Sequence, residues 1–296
     1  MVTPDLAYGT PRKLPKPKSL DGSVVVLDIA FATEVGGASF NKVTRPFIEG
    51  LGDRLLLWVD HHDHDLHVQY EENPRFFLRS KAQHGACPEM ITEELVEQYG
   101  QPDTICCHVD FDGLCAAAKW IRGGKEPYAG ADHDAWAIDT RLGKASEQGM
   151  LLDRALRAHP RDNSLKDVIV DYLVHGAEDR VSFRTIEEAA TDLAAMEKQS
   201  EALAQRYQIS GEVAVVDTTQ SNLPYDKTWL LLLGQQKAAI SIVYDAHTVT
   251  AAARFDSGIN LLRLLGLSGG MPTRVSVSRQ QLQDVLDALD PYRKKV

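Results

Sequence analysis

The chain has 296 residues, 44% of them hydrophobic and 25% charged, with a formal net charge of −10. That length suits two domains, and the acidic balance excludes a long duplex-DNA footprint, which needs a basic face. No stretch approaches the ~20 apolar residues of a membrane span and no apolar leader opens the chain, so a cytoplasmic protein without membrane contact is expected.

Residues 1–22 hold Pro4, Pro11, Pro15 and Pro17 together with Arg12, Lys13, Lys16 and Lys18, and read as a basic tail. From 23 to about 143 strands and helices alternate, the pattern of a doubly wound α/β domain with a parallel sheet. Four apolar runs each end on a carboxylate. Residues 24–27 lead into Asp28, 55–59 into Asp60-His61-His62, 104–107 into His108-Val109-Asp110-Phe111-Asp112-Gly113, and 135–138 into Asp139. Such runs read as buried parallel strands, whose carboxyl ends share one ligand-binding crevice. Residues 88–100 and 114–122 read as helices closed by glycine. The first domain is assigned to 23–184, and 185–208 to a long connector helix.

A second, smaller α/β domain is expected over 209–296. Strands are predicted near 213–216, 239–244, 248–255 and 274–278, with helices at 260–265 and 279–289. Arg254 follows one of these strands, and Gly269-Gly270 precedes Arg274. Arginine beside a glycine turn is a good phosphate clamp. The four cysteines (Cys87, Cys106, Cys107, Cys115) lack zinc-ribbon spacing and read as core thiols.

The acids and histidines carry the chemistry. Five or more carboxylates at one sheet edge would repel one another by several kcal/mol in a low-dielectric cleft. Divalent cations remove that cost, and mixed histidine and carboxylate donors suit manganese, iron or zinc. In His108-x-Asp110-x-Asp112, alternate residues of an extended strand face one side. Gly113 permits close backbone approach, and the helix start behind it favours a phosphate. A calcium loop is ruled out because Ile121 stands where that loop needs a bidentate acid. Asp217 and Asp245 also end apolar runs, but without a second acid or histidine they read as structural.

These residues resemble the DHH phosphoesterases that carry a C-terminal DHHA1-type domain. The superfamily includes single-strand exonucleases, nanoRNases, cyclic dinucleotide phosphodiesterases, exopolyphosphatases and manganese pyrophosphatases. Asp60-His61-His62 matches the name-giving motif, His108 to Gly113 the first metal motif, Asp28 the second and Asp139-Thr140 the fourth. Ala253-Arg254-Phe255, Asn260 and Ser268-Gly269-Gly270 are similar to the DHHA1 segment. Two features depart from the pattern: the first metal motif follows the DHH motif, and Met271-Pro272 replaces the usual glycine and histidine.

The resemblance implies a parallel-sheet DHH-type domain with rearranged strand order and a smaller DHHA1-like domain. Asp28, His61, His108, Asp110, Asp112 and Asp139 would ligate two divalent ions, manganese first, with magnesium or cobalt as substitutes. Asp28 would bridge the ions, Asp60 would orient an imidazole and His62 would contact the scissile phosphate. Arg254, Gly269, Gly270 and Arg274 would hold the distal part of the substrate. The implied function is two-metal hydrolysis of short single-stranded oligonucleotides or cyclic dinucleotides to 5′-nucleotides. The partner would be a small phosphorylated substrate, with room for a homodimer. The alternatives are a polyphosphate or pyrophosphate hydrolase and a catalytically silent nucleotide-binding protein.

Overall fold

In a computed structural model of the chain, residues 3–34 and 37–294 are described. The chain divides between Thr191 and Asp192 into two compact units.

The first unit is built on β1 (Asp5–Gly9), β2 (Val24–Leu27), β3 (Leu55–Asp60), β4 (Phe76–Leu78) and β5 (Thr104–His108). They form one sheet in the order β1-β5-β2-β3-β4, parallel throughout. Side chains alternate between two cores, as the period of a strand requires. Val25, Leu27, Leu57, Val59, Ile105 and Cys107 enter one core, whereas Val24, Val26, Leu55, Trp58 and Cys106 enter the other with Phe31, Phe40 and Phe47. Burial on both faces is why these strands read as unbroken apolar runs.

Among the described residues, the α-helices α1 (Arg45–Leu51), α2 (Glu93–Tyr99), α3 (Phe111–Ile121), α4 (Ala131–Thr140), α5 (Glu147–Ala158), α6 (Asn163–Val174) and α7 (Arg180–Thr191) accompany the sheet. The inner faces of α3 to α7 pack into the first core through Leu114, Ala135, Leu152, Ile169 and Ile186.

Several sequence expectations need correction. Within the expected tail, residues 5–9 form edge strand β1, paired from Asp5↔Thr104 to Gly9↔His108. Leu6 and Tyr8 pack on the first core, Ala7 and Leu14 on the second, and β1 covers what would otherwise be an open edge of β5. The run 135–138 is helix, since its buried positions Ala131, Asp134, Ala135, Ala137 and Ile138 recur at helical spacing. Residues 88–100 hold a short 3-10 turn and then α2, capped by the Thr92 side chain. The 185–208 connector is two helices. Ile186 and Ala190 of α7 belong to the first unit's core, and α8 (Leu193–Ala204) contributes Leu203 and Ala204 to a core of the second.

The second unit carries β6 (Gln208–Ser210), β7 (Val213–Asp217), β8 (Ile240–Tyr244), β9 (Thr248–Ala253) and β10 (Arg274–Ser278) in the order β10-β9-β8-β7-β6. Only β7 and β8 run parallel, so this sheet is mixed. With α9 (Lys227–Gln235), α10 (Leu261–Leu265) and α11 (Leu282–Ala288) it forms the expected smaller α/β domain.

Candidate metal centre

Three adjacent parallel strands deliver the acids. Asp28 follows β2, Asp60 closes β3 and His108 closes β5, with β2 seated between the other two. Asp28 occupies the left-handed region at φ +59, a conformation an aspartate tolerates better than most residues. Its N–H donates to the Val59 carbonyl at 2.9 Å, and the Trp58 indole N–H donates to the Ile29 carbonyl at 2.9 Å. These bonds fix the position of Asp28 beside the end of β3.

The His-x-Asp-x-Asp motif does not continue as a strand. After His108 the backbone turns, Asp110 caps α3 by accepting from the Gly113 N–H at 3.2 Å, and Asp112 lies in the first helical turn. The turn is tight: a Cβ on Gly113 would lie 2.6 Å from the His108 carbonyl oxygen. Asp139 arrives from α4 and not from a strand end. The carboxylates therefore converge from strand ends and helices together.

The residues expected at the site in this unit come together. Asp28, His61 and His62 form one potential metal-holding group, Asp28, His108 and Asp110 a second, and His61, Asp112 and Asp139 a third. Asp28 spans them, with Oδ1 3.0 Å from His61 Nε2 and Oδ2 3.6 Å from His108 Nδ1. Asp112 Oδ2 is 3.1 Å from His61 Nε2, and its Oδ1 accepts from the Cys87 N–H at 2.9 Å. Burial, then the Asp28 charge, pushes the Asp112 carboxyl well above the usual range. For Asp110, burial and the His108 charge oppose each other; with the His108 hydrogen bond the outcome lies below the usual range.

The imidazoles are oriented from behind. His61 Nδ1 lies 3.0 Å from the His84 carbonyl, which can only accept, so this nitrogen carries a proton and Nε2 is turned to the acids. His62 Nδ1 lies 2.8 Å from Asp60 Oδ1, and its side chain keeps some exposure, so its other nitrogen is left for a ligand. Burial opposes ionisation of Asp60, but the His62 charge and hydrogen bond hold its carboxyl below the usual range.

The donor set fits a cation. Asp28 Oδ2, Asp112 Oδ2 and His108 Nδ1 are buried and make no hydrogen bond, although His108 Nδ1 is only 2.8 Å from Asp110 Oδ2. Buried carboxylate oxygens and a ring nitrogen that face one another without hydrogen bonds are the arrangement a metal ion satisfies.

Lys81 was not foreseen. It follows β4, is 3% exposed, and its Nζ lies 3.0 Å from His61 Nε2 and hydrogen-bonds the Asp139 carboxylate. Burial alone would lower its pKa, yet the Asp139, Asp112 and Asp28 carboxylates raise it to about 12. Its strand is three residues long between Arg75 and Arg79, too short and too basic in its flanks to register as a sheet member. The signal available was a lysine soon after Phe76-Phe77-Leu78, at the same edge as the acids.

In the second unit, Ala252 of β9 pairs with Arg274 of β10, so Arg254 and the glycine turn lie at one end of that sheet. Gly269 is buried, and Gly270 at φ +120 needs glycine. Arg254 is exposed, with Nε at 3.1 Å and Nη2 at 2.8 Å from the two oxygens of Asp256. Arg274 Nη2 is 3.4 Å from Thr228 Oγ1. Asp217 accepts from the Thr219 N–H, and Asp245 holds Lys227 at 2.9 Å, both structural roles. All four cysteines are buried and unpaired with one another, as core thiols should be.

The first unit is thus a parallel sheet presenting Asp, Asp-His-His and His-x-Asp-x-Asp at one edge, and a smaller mixed-sheet unit follows it. Among solved structures, RecJ from Thermus thermophilus in complex with Mn2+ matches with a TM-score of 0.51 at 11% identity over 97% of this chain. This chain spans 51% of that protein's length. A pGpG-specific phosphodiesterase, PggH from Vibrio cholerae, matches with a TM-score of 0.45 at 13% identity, over 79% of this chain and 77% of its own. An exonuclease RecJ bound to manganese matches with a TM-score of 0.47 at 11% identity, over 93% of this chain and 76% of its own. No protein-family model and no curated protein matches the sequence. No helix among the described residues is long and apolar enough to cross a membrane.

Proposed function

We propose that the protein is a metal-dependent phosphodiesterase acting on short single-stranded oligonucleotides or dinucleotides and releasing 5′-nucleotides. The observation that carries this reading is the convergence of Asp28, His61, His108, Asp110, Asp112 and Asp139 on one sheet edge with buried donor atoms left without hydrogen bonds. The shared fold with RecJ supports it. Asp28, His108 and Asp110 would hold a divalent ion, and His61, Asp112 and Asp139 line a second cationic position. Bound there, manganese supplies the Lewis acidity that activates water and neutralises charge on phosphoryl oxygens.

The chain's own groups supply the rest. Asp60 accepts from His62 Nδ1–H and leaves the other ring nitrogen for the substrate, where the doubly protonated ring donates to a phosphoryl oxygen. The Cys87 N–H and the Gly113 N–H hold Asp112 and Asp110 before substrate arrives, so little reorganisation is left for the reaction. Arg254, Arg274 and the Gly269-Gly270 turn are proposed to bind the distal phosphate or base.

The test is a manganese-dependent assay on pApA, a cyclic dinucleotide, polyphosphate and pyrophosphate. Mononucleotide release from pApA or the cyclic dinucleotide is expected. Hydrolysis confined to polyphosphate or pyrophosphate replaces this reading with a phosphoanhydride hydrolase. Nucleotide binding without turnover replaces it with a silent binding protein.

A further inference from the structure

We infer that the Lys81 ammonium takes the second cationic position of this centre, so that the chain works with one divalent ion and one lysine in place of two ions. The inference rests on the proposed metal site and concerns how that site is filled.

Three observations carry it. Lys81 Nζ is in contact with His61 Nε2 at 3.0 Å and with the Asp139 carboxylate, which are two of the three residues of the His61, Asp112 and Asp139 group. A divalent ion on that group needs the same lone pairs at ~2.0–2.3 Å, so ion and ammonium exclude each other by volume and by charge.

Lys81 is also held where it is. Its backbone N–H lies 3.4 Å from Asp63 Oδ2, and the turn that carries it is closed by the Gln83 and His84 N–H groups on the Ser80 carbonyl at 2.9 and 3.1 Å. The Arg79 N–H ties the start of this turn to the Asp60 carbonyl at 2.8 Å. A side chain that is 3% exposed and anchored at both ends of its turn is part of the site's construction.

The two halves of the centre differ in what they lack. In the Asp28, His108 and Asp110 group no lysine or arginine among the described residues makes an ion pair, and Asp28 Oδ2 and His108 Nδ1 are left without hydrogen bonds. Around His61 the ammonium already bonds His61 and Asp139. The divalent ion therefore belongs to the first group, and Lys81 balances the second. An ammonium can donate protons to a phosphoryl oxygen but cannot act as a Lewis acid toward water, so the two positions have unequal tasks: activation on the His108 side, charge neutralisation on the Lys81 side.

The experiment measures bound manganese per chain, by elemental analysis after equilibrium dialysis and by calorimetric titration, for wild type and for Lys81→Met. The expected result is about one ion for wild type and about two for the variant, whose acids then need a second cation. Two ions in wild type would overturn the lysine's role and leave the phosphodiesterase reading standing. No ion in wild type would overturn the metal site itself, and with it both readings. One ion in each would show that Lys81 is not what fills the second position. Should Lys81→Met fail to fold, anomalous scattering from manganese-soaked wild-type crystals decides: a single peak beside His108 and Asp110 is expected, and a peak among His61, Asp112 and Asp139 refutes the inference.

Discussion

Asp60 Oδ1 lies 2.8 Å from His62 Nδ1, and Asp60 is fully buried while the His62 side chain keeps 16% of its surface exposed. The aspartate acts through the imidazole, fixing which nitrogen carries the proton. Asp60→Asn keeps the shape and removes the charge. It should lower kcat by about 10–100-fold, the usual cost of losing such a partner, while manganese stoichiometry stays at the wild-type value. Steady-state kinetics beside a metal titration separates the outcomes, and a loss of bound metal would make Asp60 a ligand instead.

Asp28 is the residue on which both halves of the centre depend, through Oδ1 toward His61 and Oδ2 toward His108. Its left-handed backbone makes asparagine the informative replacement, because asparagine tolerates φ near +59. Asp28→Asn should fold and yet lose at least about 100-fold in manganese affinity, or about 2.7 kcal/mol. A ligand that binds only the folded state raises the melting temperature, so wild type should be stabilised by manganese and the variant should not. An undiminished manganese-induced rise in Tm would remove Asp28 from the site.

Much of this was legible in the sequence for a physical reason. A parallel sheet buried on both faces forces Val24–Leu27 and Leu55–Asp60 to be apolar until the point where they emerge, and the first polar residues after them line the crevice. Strand order did not matter for finding Asp28, His61 and His108. Asp139 comes beside His61 and Asp112 from α4 and not from the expected strand, since Ala-Trp-Ala-Ile satisfies a strand and one face of α4 equally. β1 was missed because Pro4 and the basic residues from Arg12 onward outweighed five residues of half-buried alternation. Lys81 was missed because a buried lysine is recognised only through its partners, and those lie 20 and 58 positions away in sequence.

His67 predicts an acid-sensitive stability. Its ring packs edge-on against Phe31, with centroids 5.0 Å apart, and burial pushes its pKa down to about 4. The unfolded chain binds this proton near pH ~6.5, so between there and pH ~4 unfolding takes up a proton that the folded state refuses. Stability from this group is complete above pH ~6.5, falls as the pH drops, and levels off below ~4. His64, also lowered by burial, adds to the same slope. Replacing His67 with glutamine should flatten that part of the Tm-against-pH curve, read in metal-free buffer. An unchanged slope would assign the acid sensitivity to other groups.

Arg254 offers the test of the second unit. Its guanidinium already grips a planar anion, the Asp256 carboxylate, through two N–H donors. An exposed pair of this kind contributes little, so a phosphate of higher charge can displace the carboxylate without large cost. Arg254→Ala should raise KM for an oligonucleotide by about 10–100-fold, roughly 1.4–2.7 kcal/mol, with kcat and manganese stoichiometry little altered. Asp256→Ala should move KM the other way, because it removes the competitor and leaves the guanidinium free. The comparison with a minimal phosphodiester that carries no distal nucleotide completes the argument: it should be hydrolysed equally by wild type and Arg254→Ala. Equal losses on long and minimal substrates would place Arg254 in the fold or the chemistry and end its assignment as a clamp.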